Sequence, residues 1–480
     1  MNYILKDRYP EEVFRYFEEI SAIPRGSGNE KGIADYLCAF AEAKGLRYYR
    51  DALHNVAIFK AASAGREAEA PVMLQGHTDM VCEKNGDTVH DFEKDGIKLI
   101  LGEDGWLRAD GTTLGGDDGF AVATMLAILS DDSLSHPALE CLFTVQEETG
   151  LGGASEFDYS VLSAHKVINL DTEDEGTAVA SCAGSMNLSF KLDAEQVPFA
   201  GSIVKLSLLG LAGGHSGTDI DKGRANSIML MGRILNMIYR KEPFNLISLQ
   251  GGNKRNAIPR ECEAIIAVRD ADATIDYARE LVAQIRAEMS SADKGIHLKT
   301  GKAPKPETVC SYKDTSRVLS FLALVPNGVI AMSNSKAGLV ETSSNLGVVR
   351  SEAGKFDFSV YARSSVEPSM DYTLCRMERV EKVTGLTMEF EDRAPGWAFN
   401  PASELQGQFV TCFERLYGRP GKVEAIHAGL ECGIILEKMG GGDAIAIGPD
   451  MRDIHTPDER LNLDSVRRLY NLVVEMLKNE

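Results

Sequence analysis

The sequence predicts an α/β protein: a split domain with a mainly parallel central sheet, interrupted by an inserted α+β domain of ferredoxin-like plaits. Three observations carry this. Over the first third of the 480 residues, short apolar runs alternate with amphipathic helical stretches. Past Cys182 the texture changes to half-buried strands separated by single helices. After Ala394–Pro395–Gly396, read as a linker, the first texture returns. A chain of this length outgrows one hydrophobic core, so more than one domain is expected. The boundaries that follow are 1–184 and 395–480 for the split domain and 185–394 for the insert.

In the first part, Glu11–Ile20 and Glu30–Lys44 have helical apolar periodicity, with Ser27 or Asn29 as the expected cap of the second. Val56–Phe59, Val72–Leu74, Leu139–Val145 and Val167–Leu170 read as strands, with a helix at Phe120–Leu129. In the insert, strands are expected at Met186–Leu192, Ile203–Leu209, Cys262–Val268, Phe356–Tyr361 and Leu386–Phe390. Helices are expected there at Asn226–Arg240, Ile275–Ser290, Ser316–Leu324 and Met370–Thr384, a succession that fits two plaits in tandem. Helix Leu405–Tyr417, strand Ala444–Ile447 and helix Leu463–Lys478 then complete the first sheet.

Composition narrows the function. Hydrophobic residues at 44% and charged residues at 25% are those of a globular protein. A net charge of -20 argues against nucleic acid or an anionic membrane as partner, since phosphate binding needs a basic face. Apolar stretches such as Ile228–Met231 are too short to span a bilayer, and Met1–Tyr9 lacks the apolar core of a secretory signal. Nine cysteines without a C-x-x-C pair read as reduced thiols, so a cytoplasmic protein is expected.

Chemistry-bearing residues recur at the ends of the apolar runs. Val72–Leu74 leads into Gln75-Gly-His77-Thr-Asp79, where the carboxylate of Asp79 can orient the His77 ring and raise its basicity as a ligand. Thr113-Leu-Gly-Gly-Asp117-Asp118-Gly119 is a glycine-rich turn before a helix. No Lys-Ser/Thr follows, so two acids stand where a phosphate would bind, and a cation suits them better. Phe143-Thr-Val-Gln-Glu147-Glu148 places adjacent acids which, on extended chain, point opposite ways, so one can ligate and the other act as general base. Asp171 follows Val167–Leu170, and Asp453-Ile-His455 follows Ala444–Ile447.

Each of these has an ordinary explanation alone, because strands end in turns and turns favour Asp. Together they gather ligand chemistry where open α/β sheets bind ligands, at the carboxyl ends of the strands. Two imidazoles and three carboxylates are too rich in nitrogen for magnesium or calcium and lack the thiolates of a structural zinc site. Five ligands exceed the needs of one catalytic zinc but fit two metals sharing a carboxylate, roughly 3.5–4 Å apart. Manganese or cobalt would also suit the set.

The order His-x-Asp, Asp, Glu-Glu, Asp and distal His resembles the dizinc metallopeptidase family of aminoacylases, glutamate carboxypeptidases and aminotripeptidases. The resemblance spans essentially the whole chain and is strongest to the aminoacyl-histidine (Xaa-His, or cytosolic non-specific) dipeptidase branch. It rests on Gln75–Cys82, Asn169–Gly176, Gly213-Gly-His-Ser-Gly217, Arg255-Asn-Ala-Ile-Pro-Arg260 and His427-Ala-Gly-Leu-Glu-Cys-Gly433.

The resemblance implies a dizinc catalytic domain with an inserted lid and dimerisation domain, and hydrolysis of unblocked dipeptides by a water activated between the zincs. His77 and Asp171 would hold one zinc, Glu148 and His455 the other, with Asp117 bridging and followed by a cis peptide. Asp79 would orient His77, and Glu147 would carry a proton from water to the leaving amine. His215 of the lid would polarise the scissile carbonyl, Asn256 and Arg363 would take the substrate carboxylate, and Glu431 the free amino terminus. A homodimer is favoured over a monomer. N-acyl amino-acid deacylation or aminotripeptidase activity on the same metals is the alternative, and a non-catalytic metal-binding protein is a further one. The stretch Gly-Gly-Asp-Asp-Gly departs from the branch, where Ala more often precedes the bridging Asp and Asn follows it. Asp118 is therefore expected to add a negative charge beside the metals.

Overall fold

The computed structural model describes residues 3–199, 201–301 and 303–479. The chain divides into two compact units, residues 1–181, 399–425 and 430–480 in one and residues 182–398 and 426–429 in the other. The changes of unit fall a few residues from the expected 184/185 and 394/395. Ile426–Gly429, expected in the closing segment, belongs to the second unit.

The first unit is built on an eight-stranded mixed sheet. Its centre is a run of four neighbouring parallel strands, in the order Leu139–Thr144, Val72–His77, Lys166–Asn169 and Asp443–Ala446. Antiparallel pairings lie outside this run, at Arg47–Arg50 and Val56–Lys60 on one side and between Asp443–Ala446 and Thr177–Val179 on the other. Every residue of Val72–His77 and Leu139–Thr144 is buried, so both faces of the sheet are covered there and the strands read as continuous apolar runs. Helices Glu11–Ser21, Lys31–Lys44, Gly116–Ser130, Glu404–Tyr417 and Leu463–Lys478 share a core with Val56, Val72, Leu74, Ile168 and Ile445.

The second helix starts at Lys31 with Glu30 at its cap position and no side-chain cap. Ser27 is not that cap; its hydroxyl is used at the site described below. The helix expected at Phe120–Leu129 begins earlier, at Gly116, but Asp117 and Asp118 within it depart from helical geometry. Its far end is secured by buried Lys60, whose ammonium donates to the carbonyls of Ile128 (3.3 Å), Leu129 (3.1 Å) and Asp131 (2.8 Å). A cation at a helix C-terminus satisfies orphaned carbonyls and opposes the helix dipole.

The second unit has a nine-stranded sheet, antiparallel at every pairing, with helices Ser227–Lys241, Ala271–Glu288, Tyr312–Leu324 and Glu367–Thr384 in its core. The plaits do not follow one another in tandem. Gly184–Asp193, the first strand in sequence, pairs with Lys355–Ser364 and Thr387–Ala394 from the far end of the insert. The two halves of the sheet meet at a single backbone pair, Gly251 with Val349. Beside it the Ser351 hydroxyl completes the join, accepting from Leu249 N at 2.7 Å and donating to its carbonyl at 3.0 Å. Two strands absent from the sequence expectation, Asn245–Gly251 and Val340–Glu352, line this seam.

Lys60→Met, which keeps the stem and removes the three hydrogen bonds, is expected to cost about 1–3 kcal/mol of stability. Urea unfolding followed by circular dichroism measures it.

Candidate metal centre

The four parallel strands end side by side, and ligand-type side chains lie at or just past the ends of three of them. His77 is the last residue of its strand. Glu147 and Glu148 follow Leu139–Thr144, and Asp171 follows Lys166–Asn169. The Asp117 carboxylate lies between two imidazoles, with Oδ1 3.1 Å from His77 Nε2 and Oδ2 3.1 Å from His455 Nε2. Asp171 Oδ1 is 4.0 Å from His77 Nε2, and Glu148 Oε1 is 3.0 Å from His455 Nε2. In each of the groups His77–Asp117–Asp171, His77–Glu147–Glu148 and Asp117–Glu148–His455, ligand atoms lie within 4.8 Å of one another. The first and third of these groups share Asp117. The Asp117–Asp118 peptide is cis, as the resemblance implies.

Asp79 sits behind His77, with Oδ1 3.4 Å from His77 Nδ1. It is fully buried and also accepts from the Ser27 hydroxyl at 2.7 Å, Glu147 N at 3.1 Å and Glu148 N at 3.3 Å. Glu147 and Glu148 are therefore not on extended chain. They occupy a turn after Gln146, which takes φ +55°, and both amides point at Asp79. The turn is fastened further by Glu30, which accepts from Gln146 N at 3.1 Å, and by Asn55, which accepts from Val145 N at 3.0 Å.

His455 is not carried by the end of its parallel strand. It lies in the loop between Met451–Arg452 and Arg460–Asn462, two strands of a separate four-stranded sheet, and takes φ +61°. That left-handed conformation is uncommon outside glycine and is characteristic of constrained positions.

Asp118, expected to add a negative charge beside the metals, turns its carboxylate to the backbone of His77. The side chain is fully buried, Oδ2 accepts from His77 N at 3.1 Å, and Oδ1 has no partner. Burial, then the charge of Asp171, hold its carboxyl well above the usual range and favour the neutral form. Gly76 makes room for it, since a Cβ there would meet Asp118 Oδ2 at 2.5 Å.

Glu431 lies in the same unit, fully buried. Its Oε2 accepts from Gln75 Nε2 at 2.6 Å and Thr144 Oγ1 at 2.8 Å, while Oε1 has no partner. Burial pushes its carboxyl up to about 7.

His215 and Arg363 come together within the second unit, His215 Nε2 lying 3.4 Å from Arg363 Nη2. The Thr218 amide donates to His215 Nδ1 at 3.1 Å, so the neutral ring carries its proton on Nε2. Burial and then the Arg363 charge lower the pKa of His215, which favours that neutral ring. Two donors face each other, an arrangement that calls for an acceptor oxygen between them. Arg363 Nε, buried, also has no partner. Asn256 is exposed, and its carbonyl accepts from Ser216 N beside His215.

In the sequence His427 stands out only as the start of a motif, without a role; its Nε2 is 2.7 Å from Ser343 Oγ and its buried Nδ1 has no partner. A Cβ on Gly217 would meet the His427 carbonyl at 2.2 Å and Arg363 Nε at 3.2 Å, so this histidine borders the His215–Arg363 pair. Sequence reading passed over Arg25 and Glu459, two buried side chains bound to the backbone of the loop that carries Asp117. Neither carries a local signal beyond lying near a motif.

Four oxygen and nitrogen donor residues around a shared carboxylate, without thiolates, fit a pair of divalent ions of the zinc, manganese or cobalt type. The fold and this donor set define a metal-dependent hydrolase.

Comparison with known proteins agrees. Residues 206–297 match the peptidase dimerisation domain of the M20 family. The chain is 36% identical over 476 residues to the cytosol non-specific dipeptidase of Escherichia coli, covering 98% of this chain and 97% of the relative. The crystal structure of aminoacylhistidine dipeptidase from Vibrio alginolyticus superposes with a TM-score of 0.94 at 32% identity, covering 99% of this chain and 98% of that one. An M20 metallo-carboxypeptidase from Sulfolobus solfataricus shares the fold, with a TM-score of 0.52 at 13% identity over 98% of both chains. The chain belongs to the M20 metallopeptidase family and, within it, to the branch of these two dipeptidases. Among the described residues no helix is long and apolar enough to cross a membrane.

Replacing Asp79 by Ala is expected to weaken divalent-ion binding by about 10–100-fold, the usual effect of removing a carboxylate behind a ligand histidine. Titration of the folded, metal-stripped protein with zinc measures this.

Proposed function

We propose that the protein hydrolyses unblocked dipeptides, β-alanyl-histidine and other Xaa-His dipeptides included, with two divalent ions, zinc in the first place. The observation that carries this reading is Glu431, a fully buried carboxylate with one oxygen left without a partner. A buried acceptor of this kind suits the free ammonium of a peptide, and an acylated nitrogen offers it no charge. A deacylase would have no use for it. The relatives named as dipeptidases support the same substrate class.

His77 and Asp171 are assigned to one ion, Glu148 and His455 to the other, and Asp117 to both. Two ions there would polarise the scissile carbonyl and make a water acidic at neutral pH. Glu147 is the proton carrier. Burial and the charges of Glu431 and Glu148 push its carboxyl up to about 8 against the opposing pull of His77, and nearby cations would draw it down towards neutrality. A carboxylate titrating near the working pH accepts a proton from water and returns it to the leaving amine. Asp79 holds the His77 ring and the Glu147–Glu148 turn. His215 and Arg363, with Asn256 near by, are assigned to substrate oxygens, His215 to the carbonyl and Arg363 to the carboxylate. The dimerisation-domain match over residues 206–297 favours a homodimer.

Purified protein assayed on dipeptides and on N-acetyl amino acids should hydrolyse the dipeptides, lose activity with a chelator and recover it with zinc or manganese. Chelator-sensitive turnover of the N-acetyl substrates alone would replace this reading with a deacylase, and no turnover of either class would leave a non-catalytic metal protein.

Glu431→Gln should raise KM for dipeptides by about 10–100-fold, the worth of a hydrogen bond to a charged group. Glu147→Gln should lower kcat by about 10²–10⁴-fold while metal content stays that of the wild type. Steady-state kinetics and metal analysis read both.

A further inference from the structure

The loop that carries Asp117 is anchored by Leu114 in the core and by Thr113 to Val81, but its backbone next to Asp117 is held from elsewhere. Its residues Leu114 to Gly116 have no side chain able to hold a neighbouring loop by polar contact. Two buried side chains from distant parts of the first unit hold its backbone instead.

Glu459 accepts four consecutive amides. Its Oε2 takes Leu114 N at 2.7 Å and Gly115 N at 3.1 Å, and its Oε1 takes Gly116 N at 2.8 Å and Asp117 N at 3.3 Å. It follows His455 by four residues, so this fan of bonds ties the His455 loop to the Asp117 loop.

Arg25 works from the other side. Its Nη1 donates to the carbonyls of Thr78 at 2.9 Å and Asp79 at 3.1 Å, and its Nη2 donates to the carbonyl of Gly115. That ties the Asp117 loop to the chain leaving His77.

Gly115 is the common point, with its amide on Glu459 and its carbonyl on Arg25. It takes φ +67°, and a Cβ would meet Arg25 Nη2 at 2.5 Å. Gly119 is equally tight, at 2.6 Å from the same nitrogen. Gly115 is therefore favoured by its backbone as well as by the arginine, whereas at Gly119 it is the arginine rather than the backbone that disfavours a side chain.

We propose that Arg25 and Glu459 are positioning residues for the metal pair. Acting through Gly115, they set the Asp117 carboxylate at the place where one oxygen faces the His77 position and the other the His455 position. This rests on the dinuclear reading above. Neither residue is a ligand, and neither touches substrate in this account.

The isosteric change Glu459→Gln is the sharper probe. It keeps one oxygen but sets an NH2 group against two backbone amides, donor against donor, while the volume is unchanged. Arg25→Lys keeps the charge and loses the fork that spans three carbonyls. In each folded variant the second divalent ion should bind about 10–100-fold more weakly, the range for groups that orient ligands. The first should be less affected. kcat should fall with little change in KM at fixed metal, and raised zinc or manganese should restore it.

Calorimetric titration of metal-stripped wild type and variants reads the affinities, with circular dichroism giving the folded fraction. Two ions in the wild type and wild-type affinity for both in the folded variants would overturn the assignment alone, as would activity that tracks only the folded fraction. Fewer than two ions bound by the wild type would overturn the dinuclear reading and this inference with it. Should Glu459→Gln fail to fold, Arg25→Lys puts the same question from the other side of Gly115.

Discussion

The Asp79 carboxylate is the point to which most of the first unit's local structure refers. It has no exposure to water, and burying a carboxylate is costly unless its lone pairs are occupied. Here they meet the Ser27 hydroxyl, the amides of Glu147 and Glu148, and the far side of the His77 ring. Those partners come from the loop before the second helix, the turn after one parallel strand and the end of the next. One buried charge thus fixes the relation between three segments that are far apart in sequence. The parallel pairing of the strands makes this possible, because it brings their carboxyl ends to one edge of the sheet.

The legible part of the sequence was the part where burial is simple. Val72–His77 and Leu139–Thr144 are covered on both faces, so they appear as unbroken apolar runs, and the acids that follow stand out against them. Val340–Glu352 is buried over residues 342–347 but was not legible, because Thr342, Ser343, Ser344 and Asn345 make up most of that stretch. Their polar groups are largely satisfied by partners remote in sequence. Asn345, for example, donates to the carbonyls of Arg255 and Ala257. A run of small polar residues reads as a loop when those partners cannot be seen. The same holds at the site. Side chains that meet the expected ions announce themselves by type, whereas Arg25 and Glu459 act on backbone atoms and leave no pattern. The turn at Glu147–Glu148 and the hairpin that carries His455 escaped for a related reason: both depend on positive φ at non-glycine residues, which composition does not encode.

The second unit solves a different problem. Its sheet carries helices in its core and brings basic and imidazole groups together where the first unit gathers acids. His215, Arg363 and His427 are held near one another by strand pairing, by the bridge between His215 and Ala257 and by the close packing at Gly217. Arg363 Nε and His427 Nδ1 are both buried there without a partner.

The insertion also imposes an order of events on synthesis. Strand Asp443–Ala446 lies between Lys166–Asn169 and Thr177–Val179, and the latter takes its other neighbour from Lys422–Glu424. The ribosome delivers Asp443–Ala446 about 270 residues after Lys166–Asn169, which at ordinary elongation rates is roughly 15–50 s later. Throughout that interval the amino-terminal half-sheet presents an apolar strand with one edge bare. Such an edge is a template for pairing with other chains. The nascent protein is therefore most exposed to aggregation until Asp443–Ala446 emerges, and a truncated product ending in the insert would carry that vulnerability permanently.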